Sequence, residues 1–154
     1  MIKTLKAKAH CDIPCSIYEP TPAKIAAKTV QRMVEQLEEF SAPKDMSDKK
    51  AVLHYFNYVS RRVAAKEEHS QICKKELSIL WTDFFKQEHL DKFPNLHDVF
   101  WKALKLCSKN KQEVSLESAK ELVRAVDEIA KIFYETKGDK DRYGAYQEIT
   151  DKLY

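Results

Sequence analysis

From Pro22 onward apolar residues recur at spacings of three and four, the period of a helix with one buried face. Ala26, Val30, Met33, Val34 and Leu37 form the first stripe, and Thr21 followed by Pro22 is a start signal, so a helix is predicted over Pro22 to Phe40. Ser41 to Asp48, with Pro43 inside it, reads as a connector, and Ser47 is the expected cap of the next helix. Val52, Phe56, Val59 and Val63 begin a second stripe that Cys73, Leu77, Leu80 and Phe84 continue. Between them Lys66 and Ser70 occupy the core register, which fits either an overhang in solvent or a polar site. The pattern breaks near Gln87, and Pro94 stands where the third helix should begin, ahead of Leu96, Phe100, Ala103, Leu104 and Cys107. Ser115 is positioned to cap the fourth, whose stripe is Ala119, Leu122, Val126, Ile129, Ala130 and Phe133, and Gly138 suits its end. A further short helix is expected from Ala145.

Four amphipathic helices with modest connectors predict an all-α protein, an antiparallel four-helix bundle over residues 22–137 with a C-terminal extension, 138–154. With only 2 glycines and 5 prolines in 154 residues, the chain lacks the turn formers that an all-β fold needs.

The net charge of +3 changes meaning once it is located, because residues 1–9 hold Lys3, Lys6 and Lys8 and no acid. With that segment set aside, the 27 basic residues fall to 24, equal to the 24 acidic ones and interspersed with them. Such a body lacks the clustered basic footprint of a nucleic-acid binder. No run approaches the roughly 18 apolar residues of a membrane span, and residues 1–9 lack the apolar stretch of a secretory signal. A soluble, cytoplasmic protein without nucleic-acid or membrane partners is expected.

Cys73 and Cys107 fall on helical stripes and read as small buried hydrophobes. Cys11 and Cys15 do not. They lie with His10 in a stretch that Pro14 and Pro20 keep from being helical, beside a lysine- and alanine-rich leader. A cut after Ala9 would give His10 a free α-amine. A metal joining that amine to the Cys11 amide nitrogen closes a five-membered chelate ring, and the Cys11 amide and thiolate close another. Cys15, returned by the turn that Pro14 favours, can complete a plane of two nitrogens and two sulfurs, with the His10 imidazole as a possible axial ligand. Tetragonal coordination with nitrogen donors indicates nickel or copper, and strongly donating thiolate and amide ligands favour Ni(II)/Ni(III) cycling. From spacing alone a structural zinc site, a local disulfide and an unliganded terminus stay open.

The run His10, Cys11, Asp12, Ile13, Pro14, Cys15, Ser16, Ile17, Tyr18, Glu19, Pro20 resembles the nickel hook that opens the mature nickel-containing superoxide dismutases. Leu80 to His97 is similar to that family's junction between second and third helices, and Ile129 to Lys137 to the end of its fourth. The resemblance implies a cleavable leader (1–9) removed by a leader peptidase, a nickel hook (10–21), a homohexamer, and an antioxidant enzyme dismuting superoxide to dioxygen and hydrogen peroxide. It implies His10, Cys11 and Cys15 as nickel ligands, Pro14 as the turn, and Tyr18 over the open face of the metal. Ser16 stands where the family has glycine. Ala26 and His69 align with the glutamate and arginine that orient the axial imidazole, and Phe84 with a tyrosine near the metal. His69, with Glu67 and Glu68 beside it, is the expected replacement for that network. The alternative is a non-catalytic metal-binding helical bundle related to the family.

Overall fold

In the computed structural model, which describes residues 17–153, every apolar stripe read from the sequence lies on a helix. The helices are α1 (Thr21–Glu39), α2 (Lys49–Ile79), α3 (Gln87–Lys92), α4 (Leu96–Gln112), α5 (Leu116–Lys137) and α6 (Lys140–Asp151), and a π-helical turn, Leu80–Phe84, extends α2. No strand occurs among the described residues.

Helices α1, α2, α4 and α5 form the four-helix bundle, each packed on two neighbours in the cyclic order α1, α2, α4, α5. Contacts at opposite ends show that neighbours run antiparallel. Between α2 and α4, Lys74 bonds Ser108 while Trp81 packs on Phe100; between α1 and α5, Lys24 meets Asp127 while Glu38 accepts from the Leu116 N–H. The core they enclose includes Val30, Val34, Leu77, Leu96, Leu122, Val126, Ile129 and Phe133, all fully buried. Burial of one such side chain stabilises by about 1.5–3 kcal/mol, so the stripes are what hold the helices together.

The helix ends correct several expectations. Asp48, not Ser47, caps α2: its carboxylate accepts from the Lys50 and Ala51 N–H groups at 2.9 and 3.1 Å. Ser47 instead spends its N–H and hydroxyl on Asp45. Pro94 lies in a turn that the Leu96 N–H closes onto the Phe93 carbonyl at 3.0 Å, so α4 begins at Leu96. Ser115 does cap α5, and Gly138 ends it with φ of 69°, where a side chain would be strained. The last helix starts at Lys140, earlier than expected, because Asp139 accepts from the Arg142 N–H at 3.0 Å and caps it there.

At 31 residues α2 is longer than its neighbours of 19, 17 and 22. Its first turns leave Leu53 and Phe56 exposed, although Phe56 is on the stripe. Lys66 and Ser70, by contrast, are buried. The Lys66 ammonium donates to the Asn110 and Lys111 carbonyls at 2.5 and 3.0 Å, satisfying the last turn of α4, where a cation also complements the helix dipole. Burial holds its pKa below the ordinary value. The polar interruption is therefore a buried joint between α2 and α4, and the overhang lies at the other end of the helix.

Candidate metal centre

His10, Cys11 and Cys15 lie outside the described residues, and the stem that follows them is described from Ile17 onward. Pro20 is buried and accepts the Lys24 N–H at 3.1 Å, so the chain passes directly from the stem into α1. Between them Tyr18 is half-buried, its ring 5.8 Å from Phe84 and tilted at 55°.

Phe84 is the last residue of the π-helical turn. The wider turn adds a residue to the helical repeat and shifts the faces that follow, a device common at functional sites. Phe84 meets Phe133 at 4.5 Å and stacks on His89 at 5.6 Å, and the Lys137 ammonium lies 4.6 Å from the Phe133 ring and 5.7 Å from that of Phe84. The stem tyrosine thus rests on an aromatic cluster carrying a cation. His89 accepts the Lys86 N–H on Nδ1 at 3.0 Å, which places its own proton on Nε2 when neutral.

Glu19 fixes the stem from the other side. Its carboxylate accepts from the Thr21 hydroxyl at 3.0 Å, from the Tyr134 hydroxyl of α5, and from the Arg142 guanidinium of α6 at 2.9 Å. Burial, together with the Glu19 carboxylate, pushes the Tyr134 hydroxyl well above its ordinary range; burial and Asp127 do the same for Tyr146. In the unfolded chain both ionise near 10.0, so their contribution to stability is complete below that pH and is lost as pH rises above it. Denaturant titrations between about pH 9 and about pH 11 should show falling stability, with tyrosinate absorbance from these two rings rising only as the chain unfolds. Early ionisation of both in the folded protein would contradict this packing.

The two positions aligned with the family's imidazole-orienting pair have different surroundings. Ala26 is in the core of α1, 1% exposed. His69, on the neighbouring α2, is half-buried, and its Nδ1 is enclosed without a hydrogen-bond partner among the described residues. A buried ring nitrogen left unpaired is uncommon and needs an explanation.

The donor chemistry of the N-terminal stretch fits nickel: two thiolates, an imidazole and backbone nitrogens form a soft, nitrogen-containing set. The bundle offers no competitor. Among the described residues no three His, Cys, Asp or Glu side chains are grouped so as to hold a metal. Cys73 and Cys107 are fully buried free thiols, and the hydrogen bond between them together with burial pushes the Cys73 thiol up, away from the thiolate that binds metal. No helix of the described residues is long and apolar enough to cross a membrane.

Sequence reasoning missed Glu19, Tyr134 and Arg142. Only their distant positions in the chain concealed them, since nothing local joins residue 19 to residue 142.

Comparison with known proteins gives a consistent result. The superoxide dismutase [Ni] of Streptomyces seoulensis is 31% identical over 133 residues, 86% of this chain and 92% of that protein. The Streptomyces coelicolor protein of the same name is 31% identical over 129 residues, covering 84% and 88%. A native nickel superoxide dismutase structure superposes with a TM-score of 0.70 at 30% identity, over 84% of this chain and 99% of that one. A structure of a nickel-containing superoxide dismutase with its nickel ligation in the oxidised state gives 0.70 and 30% over the same shares. The model of nickel-containing superoxide dismutases matches residues 5–137, a span that takes in both the His10 to Cys15 stretch and the bundle, and the chain belongs to that family.

Proposed function

We propose that this chain, once cut after Ala9, holds nickel through His10, Cys11 and Cys15 and dismutes superoxide to dioxygen and hydrogen peroxide. The observation that carries the reading is the family match across residues 5–137, supported by the seating of Tyr18 on Phe84, directly beyond the ligand-bearing stretch. Nickel, when bound, supplies a one-electron couple able to accept from one superoxide and donate to the next.

The chain's own work is to hold the ligands, admit the anion and exclude other reactants. His10 supplies its freed amine and its imidazole, Cys11 its amide nitrogen and thiolate, and Cys15 the second thiolate. Tyr18, stem-borne and packed on Phe84, borders the approach to those ligands and limits it to a small anion. Lys137, held over the Phe84 and Phe133 rings, keeps a positive charge close to the seat of Tyr18, which would favour anion encounter there. The reaction consumes two protons per peroxide formed, and water at the open side of the site can provide them.

An antioxidant role in the cytoplasm, assembly as a homohexamer and a dedicated leader peptidase belong to the same reading. The test uses chains that begin at His10 and chains that keep Ala9, each supplied with Ni(II). Capture of the metal and superoxide consumption by the first alone is the expected result; failure of the trimmed, nickel-supplied chain in both respects refutes the proposal.

The Nδ1 of His69, without a partner among the described residues, favours a part for that residue in steadying the His10 imidazole, where Ala26 leaves no acid to do so. Replacing His69 with alanine should then lower nickel affinity or turnover by about tenfold and alter the metal's spectrum. An unchanged spectrum and rate would return His69 to the bundle as an ordinary helix residue. The second reading, a metal-binding bundle without turnover, rests on the same substitutions; nickel bound in full by the trimmed chain with no superoxide consumed would establish it.

A further inference from the structure

The family match ends at residue 137, and α6, Lys140–Asp151, lies wholly beyond it. An added helix with no role in the core could lie anywhere on the surface. This one is brought back across the junction where the stem enters the bundle. Gly138 reverses the chain, with the Asp139 N–H returning to the Tyr134 carbonyl at 3.0 Å, and Asp139 caps the helix. Tyr143 and Tyr146 then pack on Tyr134 at 5.9 and 5.7 Å, and Tyr146 donates to Asp127 at 3.0 Å. From this footing Arg142 reaches Glu19 at 2.9 Å.

We propose that α6 is a clamp on the metal-binding hook, in which Arg142 is a positioning residue that holds Glu19 and so sets where the ligand-bearing segment leaves the bundle. Glu19 stands four residues beyond Cys15, and its carboxylate is shared between α5 through Tyr134 and α6 through Arg142. An ion pair as exposed as this one adds little to global stability, with the Arg142 side chain 55% accessible. Its value lies in geometry: a guanidinium on a packed helix fixes Glu19, and a stem held in place before binding reduces the entropy lost when the metal is captured.

This inference rests on the nickel reading above, and the experiment separates the two. Chains beginning at His10 are compared as wild type, Arg142→Gln, Glu19→Gln, the double variant, Arg142→Lys and Glu148→Gln, the last altering α6 away from the stem. Ni(II) affinity is measured by chelator competition, the ligand-field and charge-transfer spectrum is recorded, and circular dichroism reports the fold. Arg142→Gln and Glu19→Gln should each weaken nickel binding about threefold, the scale of an exposed pair. The double variant should be no worse than either single one, Arg142→Lys should recover part of the loss, and Glu148→Gln should match wild type. Wild-type affinity and spectrum in both Arg142→Gln and Glu19→Gln would overturn the clamp while leaving the nickel site standing. Wild-type chain that captures no nickel would overturn both.

Discussion

Serine in place of either Cys11 or Cys15 is expected to abolish nickel capture and superoxide consumption together, by more than about 100-fold, while the helical bundle stays folded. A serine hydroxyl is a hard, protonated donor at neutral pH, and the soft thiolate is what suits the proposed set to nickel. No rescue from elsewhere is available among the described residues, because no other donor cluster exists and Cys73 and Cys107 are enclosed between α2 and α4. The core of the described residues is built by other side chains, so helicity and, compared without metal, the unfolding midpoint should stay at wild-type values. Nickel per chain after dialysis, the dismutation rate and circular dichroism check the three parts. A serine variant that keeps one nickel per chain would place the site elsewhere.

The largest effect on stability is expected at Asp127. Lys24 is 1% exposed on α1, and Asp127 of α5 holds its ammonium with both carboxylate oxygens at 2.6 Å. Asp151 of α6 is the next acid, at 3.5 Å and largely in solvent. Asp127→Ala leaves a buried cation with that weak partner and strips the Tyr146 hydroxyl of its acceptor, at a cost of about 3 kcal/mol. The double variant Lys24→Met, Asp127→Leu removes the charge with its partner and should recover most of the loss, because an apolar pair of similar volume avoids desolvation. Denaturant unfolding of the four species measures the coupling. A loss below about 0.5 kcal/mol for Asp127→Ala would show that Lys24 reaches water and that α1, α5 and α6 are not joined there.

The first experiment alters the proposed ligands, and the second alters the packing of α1, α5 and α6 where the stem enters the bundle. If α6 acts as a clamp, Asp127→Ala should also weaken nickel binding in the folded protein, since it loosens the helix from which Arg142 reaches Glu19.

Helix identity was legible in the chain because burial on one face imposes a period, and Val30, Leu77, Phe100 and Phe133 stand on it. Ser115 and Gly138 were legible because caps obey local chemistry. Asp48 and Asp139 escaped for the same local reason read one step off: each competes with neighbours for the same free N–H groups, and geometry selects the winner. Lys66 shows the limit of periodicity. Its position in the core register was evident, but the carbonyls of Asn110 and Lys111 that accept its ammonium lie far along the chain and become partners only when α4 packs on α2.

By itself, then, the sequence determined the four long helices and the bundle class, because helical period and capping act over a few residues, and it pointed to His10, Cys11 and Cys15 as the proposed donor set. Tertiary structure alone decided that Tyr18 rests on Phe84, that the Nδ1 of His69 has no partner among the described residues, and that Glu19 is gripped from α5 and α6. Those relations join residues as much as 123 positions apart, and no local rule links such residues until packing of the helices brings them within hydrogen-bond reach.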